Sequence, residues 1–329
     1  MKEKSYLSKE KTDCLKGLFA LLIIVHHTRA QMVSLNDSVV GMILTAVGYL
    51  AVAMFFFFSG YGLEYQYNIK GEKYLDGFLR KRVLSFYLVC VLAIVIYSIF
   101  KIAMGDTVSF LLILQSFLFG KTIVTNGWYL QTIVLFYLLF YISYKFGKNL
   151  RYIWITFLIA FYIVFAVIVT NNPTYYQSVF AFLLGILWAR KQNKIDTVLF
   201  TKKWIFIVLV FFTIFGVTLI LGNTSILNGV LMLISKSISA VSFVVFVISL
   251  LSRMSINGTI SSWLGNIYCE LYIFQGIPIE LLHSKVIFIH NDFVYLVSVI
   301  VLTVCISVAM HPIIIKITKF GQVKLPKEF

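Results

Sequence analysis

Apolar residues in this chain come in long unbroken blocks, and charged residues gather in the gaps between them. A helix needs about 20 mostly apolar residues to cross the hydrocarbon core of a bilayer. Ten segments approach or exceed that length, at roughly 14–34, 39–62, 80–103, 127–145, 151–170, 174–190, 203–222, 226–251, 261–282 and 291–315. The stretch 108–119 is apolar but too short to span, and reads as an interfacial or re-entrant piece on the outer side. The basic start of the chain followed by an apolar run is reminiscent of a signal peptide. That run is longer than a typical signal core and no small-residue cleavage site follows, so an uncleaved first helix is expected.

The loops between these segments differ sharply in charge, which sets the orientation. One side collects 23 Lys and Arg: Lys2, Lys4, Lys9, Lys11, Lys16, Lys70, Lys73, Arg80, Lys81, Arg82, Lys145, Lys148, Arg151, Arg190, Lys191, Lys194, Lys202, Lys203, Arg253, Lys316, Lys319, Lys324 and Lys327. The other side holds four, Arg29, Lys101, Lys121 and Lys285. Basic residues stay cytoplasmic, so both termini are expected there. The fold class predicted is an all-α integral membrane bundle of about ten transmembrane helices. No linker or soluble appendage is visible, and residues 1–329 read as a single transmembrane domain in the cytoplasmic (plasma) membrane.

Composition supports the same class. Of the 329 residues, 60 % are hydrophobic and only 12 % charged, and the mean hydropathy is +0.93. A soluble domain carries about a quarter charged residues, so this chain cannot cover a water-facing surface. The net charge of +15 would suggest nucleic acid in a soluble protein. Here the positive-inside bias accounts for it, and membrane lipid is the expected partner, not nucleic acid. The four cysteines, Cys14, Cys90, Cys269 and Cys305, lie far apart in apolar stretches, and no Cys/His spacing suits a metal.

Ionisable groups inside a membrane helix cost a few kcal/mol or more, so each is a functional candidate. The first segment holds Asp13, Lys16, His26 and His27. At about 100° per residue, Lys16 and His27 share a helix face to within about 20°, Asp13 lies about 40° to the other side of His27, and His26 points about 100° away. A rise of about 1.5 Å per residue puts His27 roughly 16 Å deeper than Lys16, past the cytoplasmic edge. The blander reading is that His27 bonds a neighbouring carbonyl and Lys16 snorkels. Lys236, midway along the eighth segment, needs a partner, and Glu270 could supply it as a catalytic or a structural ion pair. Glu270 and Gln275 are five residues apart and point roughly 140° from each other, so they do not share a subsite.

The run from Asp13 through Lys16 and Gly17 to His27 resembles the opening motif of the integral-membrane acyltransferase-3 family. That motif is an Asp three residues before a base, then Gly, an apolar run, and a His eleven residues after the base. The family usually has Arg where this chain has Lys16. The run Phe55-Phe56-Phe57-Phe58-Ser59-Gly60 is similar to the family's F-F-x-x-S-G, and Phe78 through Arg80, Lys81 and Arg82 to Tyr87 resembles its basic approach to the third helix. Gly127-Trp128-Tyr129-Leu130 matches a W-F-L helix start, and Leu271-Tyr272 through Gln275 matches L-Y-x-x-H with Gln275 in place of His and Pro278 one residue late.

The resemblance implies transfer of an acyl group, usually acetyl and sometimes succinyl, from cytoplasmic acyl-CoA to a hydroxyl of a cell-envelope polysaccharide or lipid-linked glycan. Acyl-CoA would be a co-substrate, with no permanently bound cofactor and no metal. On this reading His27 is the general base, and Lys16, Arg80, Lys81 and Arg82 form a basic rim for CoA phosphates. Asp13 is too far along the helix to orient His27 and is expected to pair with Lys16 or another cation. Supporting candidates are His26, Ser59, Trp128, Lys236, Glu270 and Gln275. Arg80 to Arg82 could equally be an ordinary positive-inside anchor, Ser59 and Gly60 a close-packing step, and Trp128 an interfacial anchor or a lining of the acceptor path. A separate envelope-biosynthesis partner would be needed if the acceptor is not served directly. The alternative from another class is a multi-span transporter or flippase for a glycan or small anion, which would need neither acyl-CoA nor His27.

Overall fold

The computed structural model describes residues 6–32, 39–224, 226–254, 256 and 258–320. Lys2, Lys4, Lys324 and Lys327 of the basic side lie outside the described residues. All regular structure among the described residues is helical, apart from one isolated antiparallel bridge between His283 and Phe288. The helices are α1 (Lys9–Arg29), α2 (Val39–Lys70), α3 (Ser85–Ala103), α4 (Phe110–Phe117), α5 (Trp128–Phe146), α6 (Arg151–Thr170), α7 (Phe180–Leu199), α8 (Lys203–Asn223), α9 (Gly229–Leu251), α10 (Thr259–Asn266), α11 (Tyr268–Phe274), α12 (Gly276–Leu281) and α13 (Asp292–Phe320). The short apolar stretch at 108–119 forms α4, eight residues long.

Among the described residues, seven helices are long and apolar enough to cross a membrane by length and composition: α2, α3, α5, α6, α8, α9 and α13. The expectation of ten such segments is therefore not met in full. Two of the others, α1 and α7, have 21 and 20 residues but carry several charges. The predicted ninth span, 261–282, is divided into α10, α11 and α12 by single residues at Ile267 and Gln275. The second break has a clear cause. Pro278 has no N–H to give to Phe274, and the Tyr97 hydroxyl enters the ladder beside it. Tyr97 donates to the Ile273 carbonyl at 2.8 Å, and its oxygen is met by the backbone N–H groups of Gly276 and Ile277. A Cβ on Gly276 would sit 2.6 Å from that hydroxyl oxygen, so the insertion requires glycine there.

The chain groups into two compact units, the first Met1–Ile69, Tyr176–Tyr272 and His290–Ile300, the second Lys70–Tyr175, Ile273–Ile289 and Val301–Phe329. In the first unit, helices meet where side chains are missing. A Cβ on Gly17 of α1 would lie 2.1 Å from the Ser261 carbonyl oxygen of α10, and one on Gly265 would lie 1.8 Å from the Asp13 carbonyl oxygen. The crossing of α2 and α7 is equally reciprocal, with Gly60 on the Phe182 carbonyl and Gly185 on the Phe57 carbonyl. Without a water-driven hydrophobic force between helices in lipid, such close backbone approach is a main source of attraction. Ahead of α1, Tyr6 donates to Asp196 Oδ1 at 2.6 Å and accepts from Trp188 Nε1 at 3.1 Å, anchoring the start of the described chain to α7. Burial, then the bond to Asp196, pushes the Tyr6 hydroxyl well above the usual tyrosine range.

In the second unit, α5 and α6 are joined at the Thr132 and Tyr162 hydroxyls, 3.0 Å apart. The basic segment before α3 is anchored by Phe78, which is buried and stacks on Phe140 and Tyr141 of α5. Arg80, Lys81 and Arg82 fall in a π-helical turn, Leu79–Leu84, that leads directly into α3.

Candidate functional site

The polar face of α1 is built from its first turns upward. Lys16 Nζ donates to Asp13 Oδ1 at 3.0 Å, an i,i+3 pair with side chains 22 % and 12 % exposed. The same ammonium lies 5.4 Å from the centroid of the Tyr268 ring and 6.0 Å from that of Phe58, and Phe55 stacks on Tyr268 at 5.5 Å. The phenylalanine run of α2 and the start of α11 therefore wall Lys16 with aromatic faces, which attract a cation. Gly17 follows the base because α10 passes too close for any side chain, and Cys14 Sγ sits 2.8 Å from Ser261 Oγ in the same contact.

The two histidines near the other end of α1 are both half-buried, with ring centroids 4.9 Å apart. His26 Nδ1 donates to the Leu44 carbonyl of α2 at 2.7 Å, and its ring fills the notch left by Gly48. That bond requires a proton on Nδ1 of His26. Arg29 holds the same pair of helices by donating to the Gly41 carbonyl at 2.7 Å and to the Thr45 hydroxyl. His26 is thus a helix-joining residue, and His27 keeps the register with Lys16 along α1.

The basic rim divides between the two units. Lys16 belongs to the first, whereas Arg80, Lys81 and Arg82 belong to the second. Lys81 and Arg82 line a cavity of about 290 Å³ together with Lys70, Lys73, Tyr74, Asp76 and Phe78. Arg80 is not part of that lining, and its Nε is buried without a hydrogen-bond partner among the described residues. Four cations and one carboxylate around a small cavity make it suited to phosphate.

The supporting candidates separate. Gly60, next to Ser59, is the contact point of α2 with α7, and Ser59 itself is half-buried. The ion pairs seen among the described residues are Lys16–Asp13, Lys101–Asp106 and Lys101–Glu280, and the pair expected between Lys236 and Glu270 is not among them. Lys236 instead lays its stem against Gly222 of α8, its Cγ 3.0 Å from where a Cβ would stand, while Glu270 is buried in α11. Gln275 is fully buried at the break between α11 and α12, so a wheel angle drawn from Glu270 through an unbroken helix does not apply. Trp128 opens α5 and faces a cavity of about 760 Å³ in the second unit.

Two carboxylates escaped the sequence reading. Glu64 is fully buried in α2, which runs on to Lys70, past the predicted end of that segment at 62. Glu280, in α12, takes Lys101 Nζ at 2.5 Å and the Thr125 hydroxyl. The rule that singled out Glu270, an acid inside an apolar segment, would have found Glu280 as well.

Comparison with curated proteins and with solved structures finds no match. The acyltransferase-3 family model, described as an acyltransferase domain, matches residues 10–311. That stretch runs from the second residue of α1 into α13 and takes in both units, and the chain is a member of the acyltransferase-3 family of membrane proteins.

Proposed function

We propose that the protein moves an acyl group, acetyl or succinyl, from cytoplasmic acyl-CoA to a hydroxyl of a cell-envelope polysaccharide or lipid-linked glycan, in the plasma membrane. The observation that carries this reading is α1 itself: within the family match, one helix bears an aromatic-walled Lys16–Asp13 pair and, eleven residues on, His27. The neutral imidazole of His27 takes the proton of the acceptor hydroxyl as its oxygen attacks the thioester carbonyl. The C–S bond then breaks, the acyl group stays on the acceptor oxygen, and the departing CoA sulfur takes the proton back from His27. The cations at Lys70, Lys73, Lys81 and Arg82 suit the CoA phosphates, which are too polar to enter the bilayer. Asp13 keeps Lys16 in place at the start of α1, since about 21 Å of helix rise separates it from His27.

The test follows label from radioactive acetyl-CoA, and separately succinyl-CoA, into envelope glycans, using membranes with and without this protein. Ester-linked label that depends on the protein is the expected result. Unchanged glycans with no consumption of either donor would overturn the acyltransferase reading and favour a transporter or flippase.

A further inference from the structure

The larger cavity of the second unit lies at the opposite end of α3 from the basic turn. Nineteen residues separate Arg82 from Lys101, which at about 1.5 Å per residue is nearly the thickness of a bilayer core. At about 760 Å³ the cavity falls within the roughly 300–1,000 Å³ typical of small-molecule sites. One wall is aromatic. Trp128 and Tyr175 stand with ring centroids 5.6 Å apart and planes at 53°, forming a corner. Tyr175 is held rigidly, donating to the Gly120 carbonyl at 2.5 Å while its own carbonyl accepts from Tyr162 at 2.8 Å. Its hydroxyl pKa is pushed up to about 12 by burial, so the ring stays neutral.

The rest of the wall is polar but balanced in charge. Lys101 Nζ lies 2.5 Å from Glu280 and 3.7 Å from Asp106, so its charge is already matched, and Lys121 is the other cation of the lining. Asn172 uses its side-chain oxygen to accept from the Thr174 N–H and hydroxyl at 3.1 and 2.8 Å, which leaves its amide N–H groups for a ligand. Thr107 adds a hydroxyl, whereas the Thr170 hydroxyl donates to the Ala166 carbonyl at 2.7 Å and accepts from the Asn172 N–H at 3.2 Å, so it offers a ligand no proton. A fixed aromatic corner beside amide and hydroxyl donors, with no excess charge, matches the two chemistries of a pyranose ring, an apolar C–H face and a rim of hydroxyls.

We infer that this cavity, cornered by Trp128 and Tyr175 and lined by Lys101 and Thr125, which Glu280 ties together, is a binding subsite for a neutral sugar unit. It deepens the proposed function and rests on that reading, since the sugar would belong to the acyl acceptor. Lys101 and Glu280 act as positioning residues that hold α3, the segment before α5, and α12 around the site.

The test uses full-length protein in nanodiscs with Cys305→Ser, and a reporter cysteine placed by Thr107→Cys or Asn172→Cys. Maleimide labelling of the reporter is measured with the neutral and, separately, the anionic oligosaccharides released from the host envelope. Acetyl-CoA binding is measured on the same samples. The neutral fraction should slow labelling at both reporters and the anionic fraction should not. Trp128→Leu should raise the concentration needed for half-protection about tenfold, equivalent to about 1.4 kcal/mol, without changing acetyl-CoA binding. Asn172→Ala, at an exposed position, repeats the comparison at the Thr107→Cys reporter if Trp128→Leu folds poorly. Acetyl-CoA binding without protection by the neutral fraction, or equal protection by both fractions, would overturn the sugar subsite and leave the acyltransferase reading standing. Protection by the neutral fraction without acetyl-CoA binding would support the subsite while removing that reading.

Discussion

Helices α1 and α8 have the same length, 21 residues, and opposite environments. Ten residues of α1 are buried, Asp13 among them, whereas in α8 only Gly222 is. Yet α8 is the helix that qualifies as a span by composition, and α1, with Lys9, Glu10, Lys11, Asp13, Lys16 and Arg29, does not. In a soluble protein the more apolar helix would be the inner one. In lipid the outer surface can be wholly apolar, and the polar groups must turn inward to find partners. Of these two helices, the one less like a membrane span is therefore the one that gathers ionisable groups, Asp13, Lys16, His26 and His27 among them.

The sharpest way to break this contrast is at His27. His27→Ala should lower acyl transfer per mole of folded protein by at least two orders of magnitude, since a general base contributes about 10²–10⁴-fold. Membrane abundance should stay near that of the parent. Full activity in this variant would leave α1 without its catalytic role.

A smaller effect is expected where α1 meets α10. Gly265→Val would drive a side chain into the Asp13 carbonyl, and overpacking of this kind costs about 1–3 kcal/mol or more. Thermal unfolding in detergent should show the loss, and the same change at Gly216 of α8, where a Cβ meets nothing, should not.

His26→Ala comes next. It removes the bond to Leu44 and empties the notch at Gly48, for a loss of about 1 kcal/mol, the scale of interhelical polar contacts in membranes. The expected signature is lower abundance with turnover per folded molecule kept. If turnover falls as steeply as for His27→Ala, the division of labour between the two rings is wrong.

The smallest effect belongs to α8. Phe206 is 70 % exposed, and Phe206→Leu should change stability by no more than about 0.5 kcal/mol. A large loss would mean that this face is covered in the membrane by something other than lipid.

The chain's apolar blocks were enough to give an all-helical membrane protein, because satisfying backbone polar groups in lipid leaves helices as the simple solution for such blocks. The motif spacing from Asp13 to His27 was legible for the same reason: residues on one helix keep their angles and rise whatever surrounds them. Relations between helices were not. That His26 is committed to Leu44 and that Glu280 holds Lys101 both depend on which surfaces meet. The second break in the predicted span at 261–282 has a local cause in Pro278 and a distant one in Tyr97, whose hydroxyl enters the hydrogen-bond ladder beside it. Composition is a property of one segment, and sequence alone determined what each segment is. Tertiary structure decided what each segment touches, because a buried bond needs two partners and periodicity within one helix can name only one of them.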